Sequence, residues 1–315
     1  MRFCRVKAPG LLTTVQDSGR FGFQQYGVPV SGAMDYYAFM ASNLLLRNRP
    51  TQASLEITLL GPTLEFLNPT QIAITGADLS PTLNREEVLC WQTLNVSRGD
   101  ELRFGPPRNG SRAYLSVKGG IDVPVLLGSR STYVRGLLGG YKGRQLRTGD
   151  MIKANQQAFS SETQVRMMPQ NLIPTYETNP TIKVVLGPQS DFFTNKTREL
   201  FLSSTYTVTA DSDRMGYRLD GAELEPKKTL PMVSDATPVG AIQVPTDGKP
   251  IIMMRDAQTT GGYPKIAVVT TPDTSRLGQV RPGNTIEFSE SSSSEAQKRL
   301  QTYRQVLKEV VKYLI

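Results

Sequence analysis

Histidine does not occur anywhere in the 315 residues. Its absence excludes a Ser-His-Asp triad, a Cys-His dyad and every His-ligated zinc site. Acid–base chemistry must then fall to Asp, Glu, Lys, Tyr, Cys or a bound substrate. Cysteine is scarce: Cys4 and Cys90 occur without a CxxC pair, so neither a disulfide framework nor a cysteine zinc site is indicated. Both read as free core thiols, Cys90 beside Trp91 in VLCWQTL, which has the look of a buried strand. Long apolar runs are missing; none approaches the ~18 residues of a membrane span. The stretch RFCRVKAPG lacks the apolar centre of a signal peptide. The expectation is a cytoplasmic protein without membrane contact. The standard phosphate cradles are missing as well. Gly248-Lys249 has Gln243 where a phosphate loop needs its first glycine, and no GxGxxG opens a helix. Dense Lys/Arg tracts are absent too, so the net charge of +8 permits anionic ligands but points away from nucleic acid.

What is present is mostly strand-like. Short β-branched runs such as SLEITLLGP, QIAITGAD, TIKVVLGP and KIAVVTTPD are punctuated by Gly, Pro and Asn. Their close spacing predicts sandwiches or barrels rather than βαβ units. Helices are few. SGAMDYYAFMASNLLLRN has an apolar stripe at helical spacing, with Ser31 as the expected cap. A second helix is expected within 191–201. The tail from 294 onward is the most regular, with Ser294 and Gln297 as a capping pair and Leu300, Tyr303, Leu307, Val310, Val311 and Leu314 as its stripe. A Gln-, Asn- and Pro-rich segment at 154–181 reads as a domain connection. Gly-Gly-Tyr occurs at 139–141 and again at 261–263, which points to related β elements used twice.

Four polar stretches could carry chemistry. TVQDSGRFGFQQYGVPVSGAMD places Asp17, Arg20 and Asp35 among glycines, a composition that suits either close approach by a ligand or a plain surface loop. LGSRSTYVRGLLGGYKGR holds Arg130 among hydroxyls; arginine forks suit carboxylate or phosphate, although solvated basic loops are common. DSDRMGYRLDG reads as a strand with Met215, Tyr217 and Leu219 on one side and Arg214, Gly216 and Arg218 on the other. RDAQTTGGYPK connects two apolar runs and is too long for a tight hairpin.

Taken in order, TVQDSGRFGFQQYGVPVSGAMD, EITLLGP, TGAD, VLLGSRST, SDRMGYRLDG, SDATPVGAIQVP and QTTGGYPKIA resemble the C-subunit family of bacterial 5-oxoprolinase. That family is also called KipA, or allophanate hydrolase subunit 2. It is similar to part of the carboxyltransferase region of urea carboxylase. The resemblance covers residues 1 to about 290. It implies a mainly β chain of two tandem cyclophilin-like β-barrels with a few helices. The expected domains are 1–165 and 180–290, followed by an amphipathic helix over 291–315. It further implies one component of an ATP-dependent complex, with a KipI-like B subunit and a 5-oxoprolinase A subunit as partners. Such a complex opens 5-oxo-L-proline to L-glutamate, with ATP as co-substrate and no metal or prosthetic group in this chain. Two other roles remain open. One is a regulator that antagonises a KipI-like histidine-kinase inhibitor; the other is a carboxyltransferase component of a urea-carboxylase-like system. The resemblance places Asp17, Arg20, Asp35, Arg130, Asp213, Arg214, Asp256, Gln258, Thr259, Tyr263 and Lys265 along a substrate groove, without assigning a catalytic acid or base. It also implies that the two Gly-Gly-Tyr loops are equivalent barrel elements bordering that groove.

Overall fold

The computed structural model of the chain describes residues 2–155, 164–227 and 233–314. Part of the expected connection, 156–163, lies outside the described residues. The chain divides into two compact units. One takes Met1–Phe21, Ser31–Tyr176 and Leu307–Ile315; the other takes Gly22–Val30 and Glu177–Val306. Among the described residues no helix is long and apolar enough to cross a membrane.

The first unit is built from two sheets around one core. A six-stranded sheet runs in the order Met151–Lys153, Arg2–Ala8, Thr63–Phe66, Glu101–Arg103, Thr82–Leu83 and Glu86–Glu87. A five-stranded sheet runs Leu12–Gln16, Ser54–Thr58, Asn109–Val117, Thr70–Asp78 and Gln92–Val96. Phe3, Val6, Leu64, Phe66 and Ile152 of the first meet Val15, Leu55, Ile57, Ile72, Ile74 and Leu115 of the second. The expected buried strand at VLCWQTL begins only at Gln92. Trp91 before it has a left-handed φ of 62°, which ends the extended run. Cys90 is half-buried there, with its thiol pKa pushed up to about 12, chiefly by burial and then by the charge of Asp78.

Helix α1, Tyr36–Leu45, is shorter than the expected segment. Its cap is Asp35, whose carboxylate accepts from the Ala38 amide at 3.1 Å. Ser31 has a φ of 54° and lies outside the helix. Every residue from Tyr37 to Leu45 is buried, so α1 has no solvent face. It packs on Thr70–Asp78 and Asn109–Val117, and Tyr37 donates its hydroxyl to the Leu172 carbonyl at 2.5 Å. The polar residues on α1 are accommodated by bonds between side chains: Ser42 to Ser116 at 2.7 Å and Asn43 to Ser54 at 3.1 Å. Such pairing is what burial of hydroxyls and amides requires.

The second unit contains a closed barrel. Its strands follow the order Thr181–Leu186, Lys265–Val269, Ala241–Gln243, Ile251–Met253, Gly216–Asp220, Thr205–Val208 and Thr285–Glu290. Closure comes from a parallel pairing of Thr181–Leu186 with Thr285–Glu290, while the other neighbours are antiparallel. A separate ribbon pairs Asp235–Ala236 with Thr260–Gly261. Helix α2, Asn195–Ser203, is capped by the Thr194 hydroxyl, which accepts from Thr197 N at 3.0 Å. Helix α3, Thr271–Leu277, carries the buried Asp273. Helix α4, Ser293–Leu314, is the expected tail helix. Its capping box is Ser292 with Glu295 rather than Ser294 with Gln297. The Glu295 amide donates to the Ser292 hydroxyl at 3.2 Å, and the Ser292 amide donates to the Glu295 carboxylate at 2.8 Å.

Candidate functional site

Two groups of the expected site residues are positioned by long loops, one in each unit. In the first unit Asp17 follows the Leu12–Gln16 strand and ties two loops together. Its Oδ1 accepts from the Gly19 amide at 2.9 Å, the Ser129 hydroxyl at 2.7 Å and the Ser131 hydroxyl at 2.5 Å. Its Oδ2 accepts from the Arg130 amide at 2.6 Å. Arg20 is fully buried and donates to the carbonyls of Leu126 at 3.2 Å and Ser131 at 2.8 Å. Arg130 is half-buried and donates from Nε to the Val123 carbonyl at 3.0 Å. Asp17 and Arg20 thus hold the shape of the loop, while the guanidinium of Arg130 is nearer the surface.

A recess of about 510 Å³ opens beside this cluster, bordered by Asp122, Val123, Leu126, Leu137, the 139–143 turn, Met151 and Lys153. The first Gly-Gly-Tyr forms its wall. Gly139 and Gly140 have φ of 70° and 53°, and a Cβ there would lie 2.1 Å from the Ser131 carbonyl and 1.8 Å from the Thr132 hydroxyl. Lys142 Nζ lies 5.5 Å from the Tyr141 ring centre and the Arg144 guanidinium 5.4 Å from it, within cation–π range.

Asp35 is placed apart from that cluster, in a closed network under α1. Besides capping α1 it accepts the Tyr176 hydroxyl at 2.9 Å, and its amide donates to the Tyr114 hydroxyl at 2.8 Å. Tyr114 in turn donates to Glu56 at 2.7 Å, which also accepts the Met34 amide at 2.8 Å. Burial, then the charges of Glu56 and Asp35, push the Tyr114 phenol far above its usual value; burial and Asp35 do the same at Tyr176. Both phenols therefore act as donors. Both carboxylate oxygens of Asp35 are engaged, one by the Ala38 amide and one by Tyr176, in holding the first turn of α1.

In the second unit the RDAQTTGGYPK loop leaves the Ile251–Met253 strand and returns as Lys265–Val269. Asp256 is 5% exposed and receives both Nε and Nη2 of Arg214, at 2.9 and 3.1 Å. The Asp256 amide also donates to the Arg214 carbonyl at 2.7 Å. Arg214 therefore does not stand on an exposed strand face as the alternation predicts. The strand begins at Gly216, and Arg214 lies in the buried turn before it. Asp213 is exposed and folds that turn, accepting the Met215 amide at 2.7 Å and the Gly216 amide at 3.2 Å. Gln258 and Tyr263 are exposed and Thr259 is half-buried, all on the same loop. The second Gly-Gly-Tyr differs from the first: neither Gly261 nor Gly262 has a positive φ, and Gly261 is in the ribbon strand. The two tripeptides are therefore not conformational equivalents, because glycine accepts either sign of φ and the surroundings decide.

Lys265 is the least expected of the group in its surroundings. It is 2% exposed, and its Nζ lies 3.2 Å from Asp235 Oδ2. That contact is an ion pair whose angle falls short of a hydrogen bond. The contact with Lys265, ahead of the Ala236 amide, holds the Asp235 carboxyl below its usual range. Opposite Lys265 on the neighbouring strand is Gln243, also 2% exposed, whose Nε2 has no acceptor among the described residues. Gln189 joins this group through its side chain, whose Oε1 accepts the Lys265 amide at 3.3 Å and whose Nε2 donates to Asp235 Oδ2 at 3.4 Å. Asp235 and Gln243 stand within the quoted stretch SDATPVGAIQVP, but neither they nor Gln189 are among the expected groove residues. The one local signal is Gln243 itself, a polar residue set into the apolar run AIQVP. Among the described residues no cluster of three or more His, Cys, Asp or Glu side chains is placed to hold a metal ion.

Residues 26–290 match the family model described as carboxyltransferase domain, subdomain A and B. The chain is 38% identical over 286 residues to the 5-oxoprolinase C subunit of Haemophilus influenzae, covering 90% of each chain. It is 37% identical over 295 residues to the 5-oxoprolinase C subunit of Escherichia coli, covering 93% of this chain and 92% of that one. Among solved structures, Kluyveromyces lactis urea carboxylase superposes with a TM-score of 0.91 at 36% identity, over 98% of this chain and 29% of that one.

Proposed function

The chain belongs to the carboxyltransferase domain, subdomain A and B, family, and from that premise we propose that it is the C subunit of an ATP-dependent 5-oxoprolinase. One observation carries the reading. The chain is 38% and 37% identical to two 5-oxoprolinase C subunits over about nine tenths of its length. The complex would join this chain to a KipI-like B subunit and an A subunit in the cytoplasm. It would open the lactam of 5-oxo-L-proline to L-glutamate while hydrolysing ATP to ADP and phosphate.

The chemistry sets what this chain must supply. Water adds to the lactam carbonyl, the ring C–N bond breaks, and the nitrogen leaves as an amine after taking a proton. An unstrained amide resists this, so ATP hydrolysis drives it. Substrate and co-substrate are both anionic, which gives cationic side chains work in positioning and in stabilising charge that develops on the carbonyl oxygen. In this reading each unit offers its own cationic contact for an anion, Arg130 in the first and Lys265 in the second, the latter with Gln258, Thr259 and Tyr263 as neutral contacts on its loop. Asp17, Arg20, Asp213, Arg214 and Asp256 shape the loops that carry them, and Asp35 anchors α1.

The test is reconstitution. Combined with its A and B partners, the chain should release glutamate only when both 5-oxo-L-proline and ATP are present; alone it should release none. An assembled complex that leaves 5-oxo-L-proline untouched removes the reading. The likeness to urea carboxylase favours a second reading, in which the chain transfers a carboxyl group from a biotin carried on another domain or chain.

A further inference from the structure

Lys265 and Gln243 are Cα partners on adjacent strands, so their side chains share a face. Both are 2% exposed. Among the described residues the Gln243 amide nitrogen finds no acceptor, and the Lys265 ammonium meets only the off-angle oxygen of Asp235. Buried donors are normally satisfied, so a Gln243 amide left without an acceptor, beside a buried ammonium held only from outside by Asp235, marks a place where an acceptor belongs. The ribbon packs directly on the pair. Asp235 is paired with Gly261, and a Cβ on Gly261 would lie 2.4 Å from Gln243 Nε2 and 3.1 Å from the Thr237 hydroxyl. Only glycine lets the ribbon approach Gln243 this closely, although its φ does not demand one.

We propose that Lys265 and Gln243 form a seat for a ligand carboxylate, and that Asp235 occupies the lysine in its place until the ligand displaces it. A carboxylate is an acceptor with about four lone-pair sites, enough to take both the ammonium and the amide. Asp235 reaches the lysine from outside, its own side chain 54% exposed. Solvent can therefore rehydrate it on departure, which keeps the exchange cheap for the protein. The low pKa of Asp235 means that the exchange is carboxylate for carboxylate at neutral pH. Resting on the 5-oxoprolinase reading, the ligand group is the carboxylate of 5-oxo-L-proline, which leaves the lactam free for chemistry at the other end of the ring.

The experiment is a titration of the full-length chain, followed by NMR, with 5-oxo-L-proline, with its neutral amide 5-oxo-L-prolinamide, and with acetate. Melting curves accompany each variant. Removing the competitor with Asp235→Asn should tighten both carboxylates several-fold and leave the neutral amide unchanged. Lys265→Met should weaken the carboxylates by about tenfold or more, the usual scale for a charged hydrogen bond. Gly261→Ala should fold, since the clash falls on the end of a flexible side chain, yet lose carboxylate binding. Asp235→Asn binding that is unchanged or weaker overturns the proposal, and so does a folded Lys265→Met that binds like wild type. Lysine-dependent acetate binding with no response to 5-oxo-L-proline would keep the seat and remove the 5-oxoproline reading. Normal turnover by reconstituted complexes of both Lys265→Met and Asp235→Asn would do the reverse.

Discussion

Asp256 and Arg214 hold each other through two hydrogen bonds, with both side chains about 5% exposed. Breaking such a buried pair leaves one charge without its partner and costs about 3–5 kcal/mol. Asp256→Ala should therefore lower the melting temperature sharply, and a variant that melts like wild type would show that the pair contributes nothing. The family resemblance places Asp256 along a substrate groove; the partner observed for it is a protein arginine. Asp17 stands in the same position in the first unit, with four donors converging on its two oxygens. Asp17→Ala strands buried donors, each worth roughly 1–3 kcal/mol, and should loosen the 123–131 loop, visible as faster hydrogen exchange there. Arg130 differs because it is half-buried and its described side-chain bond is a single one to a carbonyl. Arg130→Lys should keep the melting temperature and reduce turnover of the assembled complex, since a point charge replaces a planar fork.

At the scale of elements, the 139–150 turn shows how one short segment is held. Gly140 has a left-handed φ, and the Thr132 hydroxyl is 1.8 Å from where a Cβ would stand. Gly140→Ala should cost well over the ~1 kcal/mol of a backbone preference alone, whereas Gly261→Ala should be mild; equal losses at the two sites would contradict the different roles of the two Gly-Gly-Tyr stretches. The same turn closes on Asp150, which accepts both arms of Arg144 at 2.7 and 2.8 Å and the Arg147 amide at 2.7 Å. Burial alone would raise the Asp150 carboxyl, but the Arg144 bonds and the Arg147 amide outweigh it and hold the pKa below its usual value. A depressed folded pKa adds stability above the unfolded value of about 3.9, lost as pH falls through the folded one. Asp150→Asn should then melt below wild type at pH 7, with the gap closing under acid conditions below about pH 4. Helix α4 is tied down by Arg299, which donates to the buried Asp273 at 2.8 Å beside Arg276 and the Thr270 hydroxyl.

For the whole molecule the two functional readings part on a covalent cofactor. Opening a lactam with ATP needs no biotin, whereas carboxyl transfer in a urea-carboxylase-like system depends on it. Adding avidin to the reconstituted assembly should leave 5-oxo-L-proline hydrolysis unchanged; loss of activity with avidin would transfer the chain to the carboxyltransferase reading. Net charge of +8 fits anionic ligands under either reading.

The sequence by itself determined the β class, because β-branched runs broken by Gly, Pro and Asn are local signals that need no partner to be read. It also determined that no histidine chemistry exists here, and the ordered motifs led to the family. Helix existence was equally legible, since a 3.6-residue period is local; helix ends were less so. The run SSSSE offers two overlapping capping patterns, and only packing selected Ser292 with Glu295. The burial of charge was decided by tertiary structure alone. Asp17 meets Ser131 across 114 positions and Arg214 meets Asp256 across 42, distances at which composition and spacing carry no information about pairing. The same holds for the seat under Gly261. The resemblance places Lys265 along a groove, but nothing local pairs it with Gln243 until barrel closure sets the two on neighbouring strands and the ribbon covers them. Buried donors acquire meaning only when the acceptors around them can be counted.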